Sequence, residues 1–246
     1  MTADEYLITG KYLRNEERLE EAYRYILEAA LAGQPDAIKQ VGAFYLHGAG
    51  VRQEFRKAFH YLQMSYDLLG DTSILHHMIA EHENIVNDSE ARQLYAAFLD
   101  HLIEKREWEA LIIKGEEYSP GGIYPADTGE KIRCFEQAIS HGVNVGAELL
   151  GEMYFLGTEV EQDYEKAYKY FTAREGFTSF AKPYYLGRMY EEGLFVERDL
   201  GAAAAEYEKI VNASFLGRSA DLFYGKAGER LARLRKMQKV GTGRED

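Results

Sequence analysis

The sequence has little cysteine, little proline and no long apolar run, and each shortage excludes a class of protein. The single cysteine, Cys134, cannot form an intramolecular disulfide or a cysteine-only zinc site, and it is typical of a reducing compartment. With 4 prolines, no low-complexity tract and 46% hydrophobic residues, the chain can fold around a core. No apolar run approaches the roughly 18 residues that a membrane-spanning helix needs, so we expect no membrane association.

Positive charge is also scarce. The chain has 29 lysines and arginines but 41 aspartates and glutamates, and its formal net charge of −12 repels a phosphate backbone. We therefore expect no nucleic-acid binding by the bulk of the surface. The first residues hold two acids before the first base and no apolar stretch, so no signal peptide is predicted and we expect a cytoplasmic protein.

What the sequence does contain is an internal repeat. A ladder of five residue types recurs at fixed offsets, first as Gly42, Tyr45, Gly48, Val51 and Ala58, then as Gly151, Tyr154, Gly157, Val160 and Ala167, and again as Gly187, Tyr190, Gly193, Val196 and Ala203. A weaker copy starts at Gly115, and we expect one extra residue between Gly115 and Ile132 in its second half. Self-similarity of this kind indicates an array of one small structural unit.

Each unit is predicted to be a pair of helices. Apolar residues in the second half of the unit follow the helical period, as in Ala203, Tyr207 and Ile210. We expect the first helix of each pair, helix A, to end at a glycine in the left-handed conformation (Gly48, Gly157, Gly193) and helix B to begin at an aspartate (Asp127, Asp163, Asp199). Glycines in the middle of helix A are interpreted as points of close helix approach.

The pattern Leu150-Gly151-x-x-Tyr154-x-x-Gly157-x-x-Val160, followed by Lys166-Ala167-x-x-Tyr170-Phe171, resembles the Sel-one-like repeat, a relative of the tetratricopeptide repeat. The resemblance implies an all-α fold, a right-handed superhelical α-solenoid of antiparallel helix pairs. It also implies a non-catalytic scaffold that binds a protein or peptide on the concave face lined by the A helices. No enzymatic activity, catalytic residue, metal or cofactor is expected.

The repeat period divides the chain into a predicted single repeat domain over residues 1–240. The predicted helix pairs span 3–33, 35–70, 72–105, 107–141, 143–177 and 179–214, followed by a capping helix over 217–240 and a frayed tail over 241–246. The oligomeric state is left open by the sequence.

Helix A positions three residues before, and one and four residues after, each mid-helix glycine are predicted to face the partner, as they do in the tetratricopeptide-like relatives. They are Lys39, Ala43, Leu46, Ile112, Glu116, Glu148, Glu152, Phe155, Tyr184, Arg188 and Glu191. Because the set is acidic and aromatic, we expect a basic, amphipathic peptide as the partner.

Two alternatives stay open at this stage. His77, Glu81 and His82 could hold a divalent metal for a metal-dependent enzyme, although their spacing fits no zinc-protease motif. The basic stretch 217–240 could make the chain an RNA-associated protein, or it could simply cap the array; its cations are Arg218, Lys226, Arg230, Arg233, Arg235, Lys236 and Lys239.

Overall fold

The computed structural model describes residues 1–176, 178–213 and 222–241, and the described residues form fourteen α-helices and no β-strand. The predicted all-α fold class of tandem helix pairs is confirmed. Backbone contacts divide the chain into two compact units: a first unit of residues 1–110 with 120–126, and a second unit of residues 111–119 with 127–246. A single repeat domain over 1–240 stays a prediction.

The first unit consists of consecutive antiparallel helix pairs. It contains α1 (Ala3–Asn15), α2 (Leu19–Leu31), α3 (Pro35–His47), α4 (Phe55–Leu69), α5 (Ile74–Ala80), α6 (His82–Asn87) and α7 (Ser89–Glu104). The helix α8 (Glu109–Glu116) begins in this unit and ends in the second. The core of the first two pairs is aliphatic and aromatic, with Ile26, Val41 and Phe44 buried between α2 and α3.

The second unit repeats the same plan. It contains α9 (Thr128–Ser140), α10 (Val145–Leu156), α11 (Tyr164–Thr172), α12 (Ala181–Glu192), α13 (Leu200–Asn212) and α14 (Leu222–Gly241). Its core is rich in rings, with Phe171, Tyr185 and Tyr207 packed between successive helices and Leu231 of α14 buried against them.

Helix ends form where the sequence predicted them. Helix A of three pairs ends at Gly48, Gly157 and Gly193, whose φ angles of 66°, 72° and 72° are left-handed. Asp127, Asp163 and Asp199 cap the B helices by accepting backbone N–H bonds on their side chains. These predictions are confirmed because both depend on local chemistry: glycine tolerates positive φ, and a short carboxylate satisfies exposed N–H groups at a helix start.

The mid-helix glycines lie where two helices nearly touch. A Cβ atom built on the glycine would lie within 3 Å of a large side chain twenty positions later, and the pairs are Gly42 with Leu62, Gly115 with Phe135, Gly151 with Phe171, and Gly187 with Tyr207. The predicted close approach is therefore confirmed, and the side chain that fills the space above each glycine is a large one.

The extra residue expected after Gly115 is absent. The N–H of Asp127 donates to the carbonyl of Tyr118, nine positions earlier, as Asp163 does to Tyr154 and Asp199 to Tyr190. With this register, Lys131 occupies the helix B position that alanine holds in the other copies. The expectation was wrong because it aligned Ile132, an apolar residue, with the helix B alanine of the other copies. The backbone hydrogen bonds align Lys131 with that alanine instead.

Lys131 bonds to the loop between helices A and B in the weaker copy of the repeat, where the usual loop-closing side chain is missing. In the neighbouring copies a long side chain closes the loop between helices A and B, as when Gln162 Nε2 donates to the Phe155 carbonyl at 2.8 Å. Alanine stands at the equivalent position 126. Lys131, only 5% exposed, donates instead to Ser119 Oγ at 2.9 Å and pairs with Glu159 at 3.1 Å.

Candidate functional site

Most of the predicted partner-binding residues lie at the contact between one helix pair and the next. Lys39 Nζ donates to Asp71 Oδ2 at 2.6 Å, and this bond, with those from Ser73, lowers the pKa of Asp71 to about 2. Glu148 accepts backbone N–H bonds from Thr178 and Ser179 at 2.5 and 2.9 Å.

The same holds further along the second unit. Glu152 accepts a hydrogen bond from the Tyr185 hydroxyl at 2.9 Å, and the Phe155 and Tyr185 rings lie 4.6 Å apart. Leu46, Phe155, Tyr184 and Glu191 are all buried. Positions −3, +1 and +4 from the glycine fall within about 60° of each other on a helix, and here that side faces the following pair.

The remaining residues of the predicted partner-binding set either pack against a neighbouring helix or form ion pairs. Ile112 packs against Gly146, Glu116 pairs with Lys131 at 3.3 Å, and Arg188 pairs with Glu192 at 2.9 Å. Ala43 lies beside a cavity that is described below. The partner-binding role of the whole set stays a prediction.

The four carboxylates that suggested a basic partner are already bonded within the chain. Glu116, Glu148 and Glu152 have the partners given above. Burial disfavours the Glu191 carboxylate, but hydrogen bonds from Arg230, Arg233 and Tyr207 outweigh burial and hold the pKa of Glu191 below its ordinary value.

A cavity of about 130 Å³ lies in the first unit between α1, α3 and α5. Its apolar lining comes from Leu19, Ala43, Phe44 and Ala49, and its polar lining from Arg14, Gln40, His47 and His77. Ala43 is the member of the predicted set that lines it. Leu19 is the first residue of α2 and Ala49 follows α3, so sequence spacing within helix A does not reveal them.

Two histidines and a glutamate meet beside this cavity. His47 Nδ1 lies 2.7 Å from Glu81 Oε1, and His47 Nε2 lies 3.2 Å from His77 Nδ1. Burial lowers the pKa of His77, and the positive charges of His47, Lys39, His76 and Arg14 lower it further. Sequence reasoning chose His77 and Glu81 but missed His47, whose only signal is its place five residues after Gly42.

The metal alternative gains no support from this cluster. Across the described part of the chain, no group of three or more histidine, cysteine, aspartate or glutamate side chains is arranged to hold a metal ion. His77 and Glu81 each lie within hydrogen-bond distance of the His47 ring.

The cations of α14 are largely engaged with this chain's own carboxylates. Arg230 Nη1 donates to Glu191 at 2.6 Å, Arg233 also pairs with Glu191, and Arg235 pairs with Glu208 at 2.7 Å. Arg218 and the side chain of Lys239 lie outside the described residues. These pairs hold the last helix against α12 and α13, as a capping helix requires.

The sequence matches the family model of the Sel1 repeat over residues 35–68, 145–173 and 184–207. These ranges overlap the pairs α3 and α4, α10 and α11, and α12 and α13. The chain contains Sel1 repeats. Proteins built from Sel1 repeats are generally protein-interaction scaffolds, and the family is typically non-enzymatic.

Two solved structures with Sel1 repeats are similar to the chain. A Sel1 repeat protein from Oxalobacter formigenes has a TM-score of 0.47 and 19% identity, over 96% of this chain and 99% of that one. The protective antigen c5321 of uropathogenic Escherichia coli strains, which displays an SLR fold, has a TM-score of 0.50 and 19% identity, over 93% of this chain and 54% of that one. The likeness to c5321 concerns the fold.

No curated protein matches the sequence significantly. Within the described residues, none of the helices combines the length and the apolar character that crossing a membrane requires.

Proposed function

We propose that the chain is a non-catalytic scaffold that binds a protein or peptide partner through the exposed surface of its A helices. The observation that carries this proposal is the cavity lined by Leu19, Ala43, Phe44 and Ala49. A small apolar cavity with a polar border is the arrangement by which interfaces anchor one side chain of a partner.

Both the repeat and the packing support this function. Each helix pair is stabilised by its neighbours, so the outward side of helix A is free to vary in sequence without loss of the core. Within the predicted set, Ala43 is the contact residue we propose for the first unit. Residues such as Lys39, Glu148 and Glu152 would act by holding successive pairs in place.

We place this function in the cytoplasm, because a chain with one cysteine can form no intramolecular disulfide and is typical of a reducing compartment. The bonded state of Glu148, Glu152 and Glu191 gives no support to a basic partner. No observation in the described residues favours an enzyme or an RNA-associated protein.

The proposal is tested by comparing what two arginine variants capture. Immobilised wild-type chain, Ala43→Arg and Ala205→Arg are incubated with lysate, and captured proteins are quantified by mass spectrometry. Ala205 is exposed on α13, a B helix, and provides the matched control. We expect a partner to be retained by wild type and Ala205→Arg and lost by Ala43→Arg. Equal capture by all three, with unchanged circular dichroism, would rule out this surface.

A further inference from the structure

The size of the cavity between α1, α3 and α5 limits what can enter it. An apolar protein cavity of about 150 Å³ holds a benzene molecule. At about 130 Å³, this cavity matches a single aliphatic side chain such as that of leucine. Its apolar wall contains one ring, Phe44, with aliphatic groups around it, so the occupant needs shape and apolar surface but no polar tip.

The polar part of the lining is electropositive. The guanidinium of Arg14 donates to the amide oxygen of Gln40 at 3.3 Å, and it forms no ion pair with any carboxylate in the described part of the chain. His47 and His77 add two imidazoles. The Glu81 carboxylate is bonded to His47 and also accepts from Asn84 at 2.7 Å.

The lowered pKa of His77 reports the same local field. After burial, the causes of the shift are the positive charges of His47, Lys39, His76 and Arg14. A positive patch on a chain of net charge −12 is a local exception. An uncompensated guanidinium beside an apolar cavity is suited to a carboxylate, which it can bind through two parallel N–H bonds.

We propose that this cavity binds a partner segment in which an aliphatic side chain is flanked by a carboxylate, with the aliphatic group against Ala43 and Phe44 and the carboxylate paired with Arg14. The inference rests on the proposed scaffold function and specifies the partner's chemistry. It also departs from the basic partner that the sequence predicted. The carboxylates behind that prediction are bonded within the chain, whereas Arg14 has no carboxylate partner in the described residues.

The test uses synthetic heptapeptides as probes. Each carries leucine at the centre and either glutamate, glutamine or lysine at both flanking positions, and its affinity for the full chain is measured by fluorescence anisotropy at low and at physiological salt. We expect the glutamate peptide to bind at least fivefold more tightly than the lysine peptide, with a preference that shrinks as salt rises. A glutamate peptide with alanine in place of leucine should lose most of its affinity.

Four variants assign the binding to the cavity. Arg14→Glu should reverse the charge preference, whereas Arg24→Glu, an equal change on the exposed side of α2, should leave it intact. Ala43→Arg should abolish binding of the leucine peptide. Leu19→Asp, at a partly exposed position in the same lining, repeats that test if Ala43→Arg disturbs folding.

The outcomes separate the two proposals. Leucine peptides that bind without preferring glutamate, or whose preference survives Arg14→Glu, would overturn the inference and leave the scaffold function standing. Binding that persists in both Ala43→Arg and Leu19→Asp would also overturn it. A third outcome is that no peptide binds while the capture experiment still retains a partner that depends on Ala43. The partner is then not an acidic aliphatic segment, so the inference fails and the scaffold function stands.

Discussion

At the scale of single residues, the mid-helix glycines lie where an added Cβ would press on a large side chain of the next helix. The Phe171 ring lies over Gly151 so closely that an added Cβ would be 2.5 Å from one ring carbon and 2.6 Å from another. The sequence predicted the close approach at these glycines. It missed the large residue at twenty positions because that residue changes type from Leu62 to Phe135 and Tyr207.

We expect Gly151→Ala to destabilise the chain by about 1 to 3 kcal/mol, the usual cost of overpacking a core. Helix propensity by itself would favour alanine by about 1 kcal/mol, so the sign of the change identifies the cause. The measurement is the free energy of unfolding from urea denaturation.

The matched control is Gly228→Ala in α14, where an added Cβ meets no atom within 4 Å. This change should stabilise the chain by up to about 1 kcal/mol. Equal stabilisation by both substitutions would show that Gly151 has no packing role.

At the scale of helices, most ends could be predicted and the interior contacts could not. A glycine with positive φ or an aspartate at a helix start acts within a few residues, so the sequence carries the full signal. The backbone N–H of Thr178, in the segment after α11, donates to the carboxylate of Glu148, thirty positions earlier. No local rule connects them.

One buried carboxylate accepts hydrogen bonds from two arginines of the last described helix. Glu191 is 7% exposed and accepts hydrogen bonds from Tyr207, Arg230 and Arg233. We expect Glu191→Gln to lower the free energy of unfolding by about 2 kcal/mol, because hydrogen bonds to a charged group are lost while both guanidiniums remain. Faster amide hydrogen exchange along α14 should accompany the loss.

Glu208→Gln tests whether any missing carboxylate near α14 would have the same effect. Its ion pair with Arg235 joins side chains that are 42% and 59% exposed. An exposed pair of this kind contributes less than about 1 kcal/mol. Similar losses in the two variants would mean that Glu191 is no more important than a surface charge.

At the scale of the whole molecule, charge is unevenly distributed and stability should depend on pH. The pKa of His77 lies below its ordinary value, so in the interval just beneath about pH 6.5 the unfolded chain binds a proton more readily than the folded one. Stability is therefore lost as the pH falls through that interval. Burial opposes the charge on Glu81, but bonds from His47 and Asn84 lower its pKa, so its contribution is lost at still lower pH.

We expect the free energy of unfolding to decrease between pH 7.5 and pH 5, and His77→Gln to make that decrease shallower. Urea denaturation at several pH values measures it. His60→Gln, an exposed histidine on α4, should leave the pH dependence unchanged. A slope that is the same in His77→Gln and in wild type would contradict the assignment to His77.

The sequence alone was sufficient to establish a row of helix pairs, their period and most of their ends, because glycine conformations, aspartate caps and apolar spacing act over a few residues. It could not establish which side of helix A meets solvent. Residues such as Lys39 and Glu148 bond to the next pair because the angle between neighbouring pairs results from packing along their whole length. The same packing brings Arg14, His47 and His77 from three helices to one cavity.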